Sequence, residues 1–203
     1  MKKIWLVGSI ILTVGLWSNL CFAGINNFKP GSEPDGFRGI KWGTDVKTLP
    51  GMKHLKTYKR VMWRAPSSMG AKIEVYTRKG DRLIIGRAKL EKIEYSFWKE
   101  EFYMVKVYTA KSDSDSEYSE SGEDLREAVF EKFGKGEKDS LGGSSWSGDK
   151  IEMDFRSFSG GTGCLQMSYK KISKQIEDYE EQKIKKWEFY KKQKAKEGAK
   201  KGF

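Results

Sequence analysis

The sequence predicts an α+β fold: an antiparallel sheet of five to seven strands in a meander, one or two packed helices, and a charged C-terminal helix. Three observations carry this. Between residues 72 and 109, apolar and polar side chains alternate between short turn signals, the pattern of strands with one face on a core. Leu125, Ala128, Val129, Lys132 and Phe133 recur at helical spacing, giving one stripe. Residues 170–203 then hold 12 Lys against 6 acids, the composition of a solvated helix.

The chain opens with Lys2 and Lys3, an uncharged run from Ile4 to Trp17, and Cys21-Phe22-Ala23 before Gly24. This pattern fits a secretory signal over 1–23 with cleavage before Gly24. The run is shorter than the roughly 18–20 residues of a spanning helix, which argues against a retained anchor. Ser18 stands where a lipidated Cys21 wants an aliphatic residue, which argues against a lipoprotein. The expected location is the periplasm or the extracellular medium. Cleavage leaves Cys164 as the one thiol, so packing rather than a disulfide must hold the fold. Cys164 lies in an alternating run and reads as a small buried hydrophobe.

Residues 24–36 contain Pro30, Pro34 and three glycines and read as a linker. Phe37 to Trp42 alternates around Gly39 and reads as a first strand, and Thr44 as the N-cap of a short helix through Val46 and Leu49. Ile73, Val75 and Thr77 mark the next strand. Leu83 to Ile85 follows a Lys79-Gly80-Asp81 turn. Ala88 to Phe97 continues, with a slip in period near Glu91-Lys92. Phe102 to Thr109 completes the meander. Ser121 opens a helix with Glu123 and Asp124 favouring its N-terminal dipole, and Gly134 ends it. Ser144–Ser147, Lys150–Phe158 and Gly163–Lys171 read as strands joined by glycine turns. The final helix is expected from Ser173 to about Glu197. Its stripe is Ile176, Tyr179, Lys183, Trp187 and Tyr190, supported by Glu181–Lys185 and Glu188–Lys192 pairs. The domain is thus expected over 36–171, with the helix and tail at 172–203. Core positions are Leu125, Val129 and Phe133 on the helix, and Ile40, Trp42, Ile73, Val75, Ile84, Ile93, Tyr95, Val105 and Val107 on the sheet.

The run Gly36-Phe37-Arg38-Gly39-Ile40-Lys41-Trp42-Gly43-Thr44 resembles the opening of a loose set of uncharacterised exported bacterial proteins. A strand pair like Ile85 to Trp98 and a helix end like Lys132-Phe133-Gly134 follow it in that set. The resemblance spans about 36–170. It implies a compact domain of the periplasm or envelope, and no activity or site residue.

The formal charge of +11 is uneven. Residues 24–169 hold 25 basic and 22 acidic residues, a net of +3, whereas residues 170–203 carry +6. The body is nearly balanced, so basicity does not argue for nucleic acid, which an exported chain seldom meets.

Motifs for catalysis are weak. His54 is the one histidine; it sits among lysines and reads as an exposed loop residue. Asp113, Asp115, Glu117 and Asp124 partly match a calcium loop, but Tyr118 stands where the turn glycine belongs, and a solvated acidic loop is the stronger reading. The glycines at 142–143 and 160–163 lead into strands rather than helices, so they are turns and not phosphate cradles. Glu91, Glu94, Glu152 and Asp154 lie on strands, where a hydrolytic pair would need about 5–10 Å between carboxyls. Trp42, Trp63, Trp98, Trp146 and Trp187 make the mature chain aromatic-rich, and most of them read as core or sheet-face residues rather than an aromatic cleft for a sugar or peptide. No cofactor or metal is expected.

The best functional candidate is the C-terminal helix, a coiled-coil-like segment. Lys183, Lys186 and Lys191 suit an anionic surface, and Trp187 and Tyr190 suit a membrane interface or a partner helix. The expectation is an exported, non-catalytic envelope protein that binds a protein or an anionic envelope surface, with peripheral membrane contact. The alternative is a carboxylate-type hydrolase of an envelope polymer.

Overall fold

Alternation with period two builds the sheet, which a computed structural model of the protein describes within residues 26–61, 66–111, 121–139 and 142–201. The acidic loop before Ser121, Trp63 and the leader over 1–23 lie outside the described residues. A small hairpin comes first, from β1 (Gly36–Phe37) and β2 (Ile40–Lys41). Its two-residue turn has positive φ at Arg38 (48°) and Gly39 (78°), the type I′ geometry that glycine favours. The single strand expected over 37–42 is therefore a hairpin. A short 3-10 turn follows over Val46–Thr48, capped by Asp45, whose carboxylate accepts from the Lys47 N–H. The expected cap, Thr44, instead donates its hydroxyl to the Lys41 carbonyl at 2.8 Å.

The main sheet has nine strands, more than the expected five to seven, and its pairings are antiparallel. They are β3 (Met52–Lys59), β4 (Lys72–Arg78), β5 (Ile84–Ile85), β6 (Ala88–Trp98), β7 (Glu101–Thr109), β8 (Glu137–Lys138), β9 (Ser144–Ser147), β10 (Ile151–Ser157) and β11 (Gly163–Tyr169). Two helices accompany them, α1 (Ser121–Phe133) and α2 (Lys170–Lys201). The order is β3-β4-β6-β7-β11-β10-β9-β8, with β5 on β6. The sheet is thus two meanders joined along β7 and β11, with α1 between them in the chain. The α+β class is the one the sequence predicts.

β3 is the strand that sequence reasoning missed. Its apolar residues, Met52, Leu55 and Tyr58, are three apart, and the register slips between His54 and Lys56. That bulge destroys the period of two, and β3 is an edge strand exposed along most of its length. His54 is exposed as expected, but on this strand rather than in a loop; its Nε2 lies 2.9 Å from Thr57 Oγ1. The slip expected near Glu91 in β6 is present, between Leu90 and Lys92.

Alternating side chains bury two cores on opposite faces. On one face, Ile93, Tyr95, Phe97, Val105, Val107 and Leu165 pack under Leu125, Val129 and Phe133 of α1. The hairpin residues Phe37 and Ile40 join them. On the other, Ile73, Val75, Trp98, Tyr103 and Met104 pack under Ile172 and Ile176 of α2. Each such large apolar side chain contributes roughly 1.5–3 kcal/mol on burial. Two expected core positions differ. Ile84 is 42% exposed because β5 is a two-residue edge. Trp42 is half-buried, stacked on Phe102 at 4.8 Å, and its indole N–H donates to the Pro34 carbonyl at 3.0 Å.

Residues 26–35 lack regular structure but are not loose. Phe28 is buried edge-on against Phe133, with ring centres 6.0 Å apart. Asn27 Oδ1 accepts from the Ser147 N–H at 2.7 Å, and Glu33 Oε1 accepts from Lys150 N at 2.6 Å and Ile151 N at 2.9 Å. The segment read as a linker is, over these residues, an arm that caps the β9–β10 end of the sheet. Pro and Gly content reported its backbone correctly, and one apolar residue, Phe28, decided its packing.

Candidate interaction surface

α2 starts at Lys170, three residues before the expected Ser173, because the chain turns directly out of β11. Lys170 is held at this corner: its N–H donates to the Lys150 carbonyl, and its Nζ donates to Gly148 O at 2.6 Å and Ser147 Oγ at 2.8 Å. The next three turns dock. Ile172 and Ile176 are buried, and Tyr179 meets Trp98 edge-on at 5.9 Å. Glu180 is 8% exposed, and its Oε1 accepts from the Ala71 N–H at 2.9 Å, with Arg60 at 3.8 Å. This carboxylate ties the helix to the β3–β4 end of the sheet. Glu180→Ala should leave the Ala71 N–H without its acceptor and cost about 1–3 kcal/mol. Glu180→Gln, which keeps a carbonyl oxygen there, should lose less; urea unfolding of the three proteins measures the difference.

Beyond Glu180 the helix changes character. No residue from Glu181 to Glu197 is buried. At 1.5 Å per residue, the stretch from Glu181 to Lys201 reaches roughly 30 Å. Residues 183–201 carry 9 Lys and 2 Glu, a net of +7. Lys183 Nζ sits 4.6 Å from the centre of the Tyr179 ring, and Lys191 Nζ sits 4.2 Å from that of Trp187. Glu181 and Lys185 pair at 2.8 Å. Glu188 and Lys192, expected as a second pair, do not come within ion-pair distance; an exposed pair gains too little in water to hold two long side chains.

The structure therefore brings all five sequence-derived residues, Lys183, Lys186, Trp187, Tyr190 and Lys191, onto this distal segment. By helical geometry they continue the stripe that Ile172 and Ile176 begin. Tyr190 is 62% exposed. Phe189 is 64% exposed, but it lies on the far side, about 160° around from Trp187. The segment is thus an aromatic strip flanked by lysines, held at one end by the docked turns of α2.

The acids resolve differently. Glu94 is buried between Lys92 and Lys56, at 3.1 and 3.2 Å. Burial opposes its charge, yet hydrogen bonds from both lysines outweigh that, and its pKa lies below the usual 4.5. A carboxylate with a lowered folded pKa stabilises the fold above the unfolded value, and that stability is lost as pH falls through the folded one. Wild-type urea midpoints should therefore decline below about pH 4.5 more steeply than those of Glu94→Gln. Across the sheet, Glu94 aligns with Lys106, Gln166 and Asp154. Three strand spacings, roughly 14 Å, separate Glu94 from Asp154, too far for a hydrolytic pair.

Glu152 and Asp154 are closer, about 7 Å apart along one face of β10. With Glu137, Ser145 and Asn27 they line a depression of about 370 Å³. Burial raises the Asp154 pKa above its usual value. Cys164 is half-buried rather than buried, and burial raises its thiol pKa, which leaves it unreactive. Of the candidate calcium loop, Asp124 is described, and it accepts from Arg87 Nε at 3.0 Å. No group of three or more His, Cys, Asp or Glu among the described residues is placed to hold a metal. No helix among the described residues is long and apolar enough to cross a membrane.

No family model, curated protein or solved structure matches this chain.

Proposed function

We propose that this protein is an exported, non-catalytic envelope module whose distal α2 segment attaches it to an anionic envelope surface. The observation that carries the reading is the division of α2: three turns locked into the second core, then some 30 Å of lysine-rich helix bearing Trp187 and Tyr190 beyond it. Each lysine near an anionic surface contributes about 1 kcal/mol, and interfacial Trp and Tyr add contact at headgroup depth. The opening signal-like sequence supports the address. Co-sedimentation with vesicles tests it. Binding should rise with the fraction of anionic lipid, vanish on neutral lipid, and weaken with salt. Equal binding to neutral vesicles would overturn the electrostatic reading, and capture of one protein partner without lipid dependence would replace the surface with a protein.

A second reading rests on Glu152 and Asp154, which share a depression, one of them with a raised pKa. That arrangement suits a general acid beside a second carboxylate in glycan hydrolysis. If it operates, wild type should release reducing ends from envelope glycan, and Asp154→Asn should lower that rate at least about a hundredfold. No release by wild type ends this reading.

A further inference from the structure

We propose that the groove between α1 and the β1–β2 hairpin binds the alkyl chain of a single-chain anionic amphiphile, with Lys132 and Arg38 facing its headgroup. The groove lies on the opposite face of the sheet from α2 and is independent of the surface-attachment reading. Its volume is about 330 Å³, at the small end of ligand sites, which suits one chain rather than two. Its floor is Leu165 and Met167 of β11, both nearly fully buried. Val129 and Phe133 of α1 form one wall, and Phe37 of the hairpin with Ile85 of β5 form the other.

Two features explain why the groove exists. β5 is tied across it by Arg38, whose Nη2 donates to the Ile84 carbonyl at 3.0 Å. At the β5–β6 turn, Gly86 (φ 56°) approaches α1 so closely that a Cβ there would lie 3.1 Å from the Ala128 methyl. The turn thus closes one end against the helix. This also accounts for Ile84, a core position by sequence that is 42% exposed at the lip.

Charge selects the ligand class. Among the described residues, the lining contains Arg38 and Lys132 and no acid. Depressions elsewhere on the described surface include acids: Glu137, Glu152 and Asp154 in one, Asp81 and Glu91 in another. Arg38 is partly neutralised by Asp81 at 3.8 Å. Lys132 makes no ion pair among the described residues, and its Nζ rests 5.2 Å from the Phe133 ring. An apolar slot with a lysine at its rim that pairs with no acid among the described residues fits a fatty carboxylate, which buries its chain and keeps its charge at the surface.

The probe is dodecanoate, kept below its micelle concentration and titrated into the full chain, followed by calorimetry and by methyl NMR. Expected are saturable one-to-one binding and shifts at the Ala128, Val129 and Met167 methyls. Decanoate should bind roughly tenfold more weakly, from two fewer buried methylenes. Lys132→Gln should weaken dodecanoate about fivefold and leave 1-dodecanol unchanged. Ala128→Leu, whose added carbons fill the slot beside the Gly86 turn, should block binding, and its melting temperature, measured alongside, separates a filled slot from a displaced turn. Because distal α2 also attracts anions, the double variant Trp187→Ala, Tyr190→Ala should bind as wild type does. The proposal is overturned if dodecyltrimethylammonium binds as tightly as dodecanoate, if shifts move to Trp187 and Tyr190, or if no saturation occurs.

Discussion

A chain ending at Lys183 should melt within about 1 °C of the full protein and yet lose at least about a hundredfold in binding to vesicles rich in anionic lipid. The first half follows from burial. None of residues 184–197 is buried, and exposed helix residues contribute only tenths of a kcal/mol to the fold. The second half follows from charge. Residues 184–203 carry 8 Lys and 2 Glu, a net of +6. At about 1 kcal/mol per lysine at an anionic surface, even partial engagement amounts to several kcal/mol. The docked turns keep Lys170, Lys171 and Lys174, so some attraction should remain. Trp187→Ala with Tyr190→Ala should weaken binding less than the truncation, with the salt dependence retained, because charge is untouched. Full vesicle binding by the chain ending at Lys183 would move the interaction to the body of the protein.

Ile176→Ala should cost about 3 kcal/mol, and a chain ending at Lys171 should scarcely fold. Ile176 is fully buried in the second core, against Ile73, Val75, Trp98 and Tyr103. Removing three carbons there loses transfer energy and leaves a cavity, typically 2–5 kcal/mol in all. In a chain of this size that lowers the melting temperature by roughly 6–12 °C. Ending at Lys171 removes Ile172, Ile176, Tyr179 and the Glu180 acceptor together. That uncovers one face of the sheet and exposes Trp98, which is now 5% exposed. Urea unfolding followed by Trp fluorescence measures both. A chain ending at Lys171 that melts like the full protein would show that α2 is not part of the core. The physical consequence is that residues 170–180 belong to the domain and only the segment beyond Glu180 can be removed to test attachment.

Much of this fold was legible in the sequence because the local pattern and the tertiary contacts agree. β4 alternates, β6 and β7 continue it with one slip near Glu91 that the sequence also shows, and Leu125, Val129 and Phe133 sit on one helix face, so period placed them. β3 was not legible, since its bulge at Leu55 and its exposure on both faces erase the alternation. The C-terminal helix was legible as a helix and as a charge excess. Its division at Glu180 was not, because Glu180 reads as one more surface acid until Ala71, 109 residues earlier in the chain, offers its N–H.

The sequence by itself determined the α+β class, the helix positions, the basic tail and the five residues that mark it. These are set by local periodicity and composition, which need no partner elsewhere in the chain. Only the tertiary structure decided that the second face of the sheet is covered by α2, that Phe28 pins an arm, that Glu152 and Asp154 share a depression while Glu94 stands apart, and that a groove opens beside α1. Each of those depends on which distant strands lie side by side, and strand order is fixed by long-range packing that no local pattern encodes.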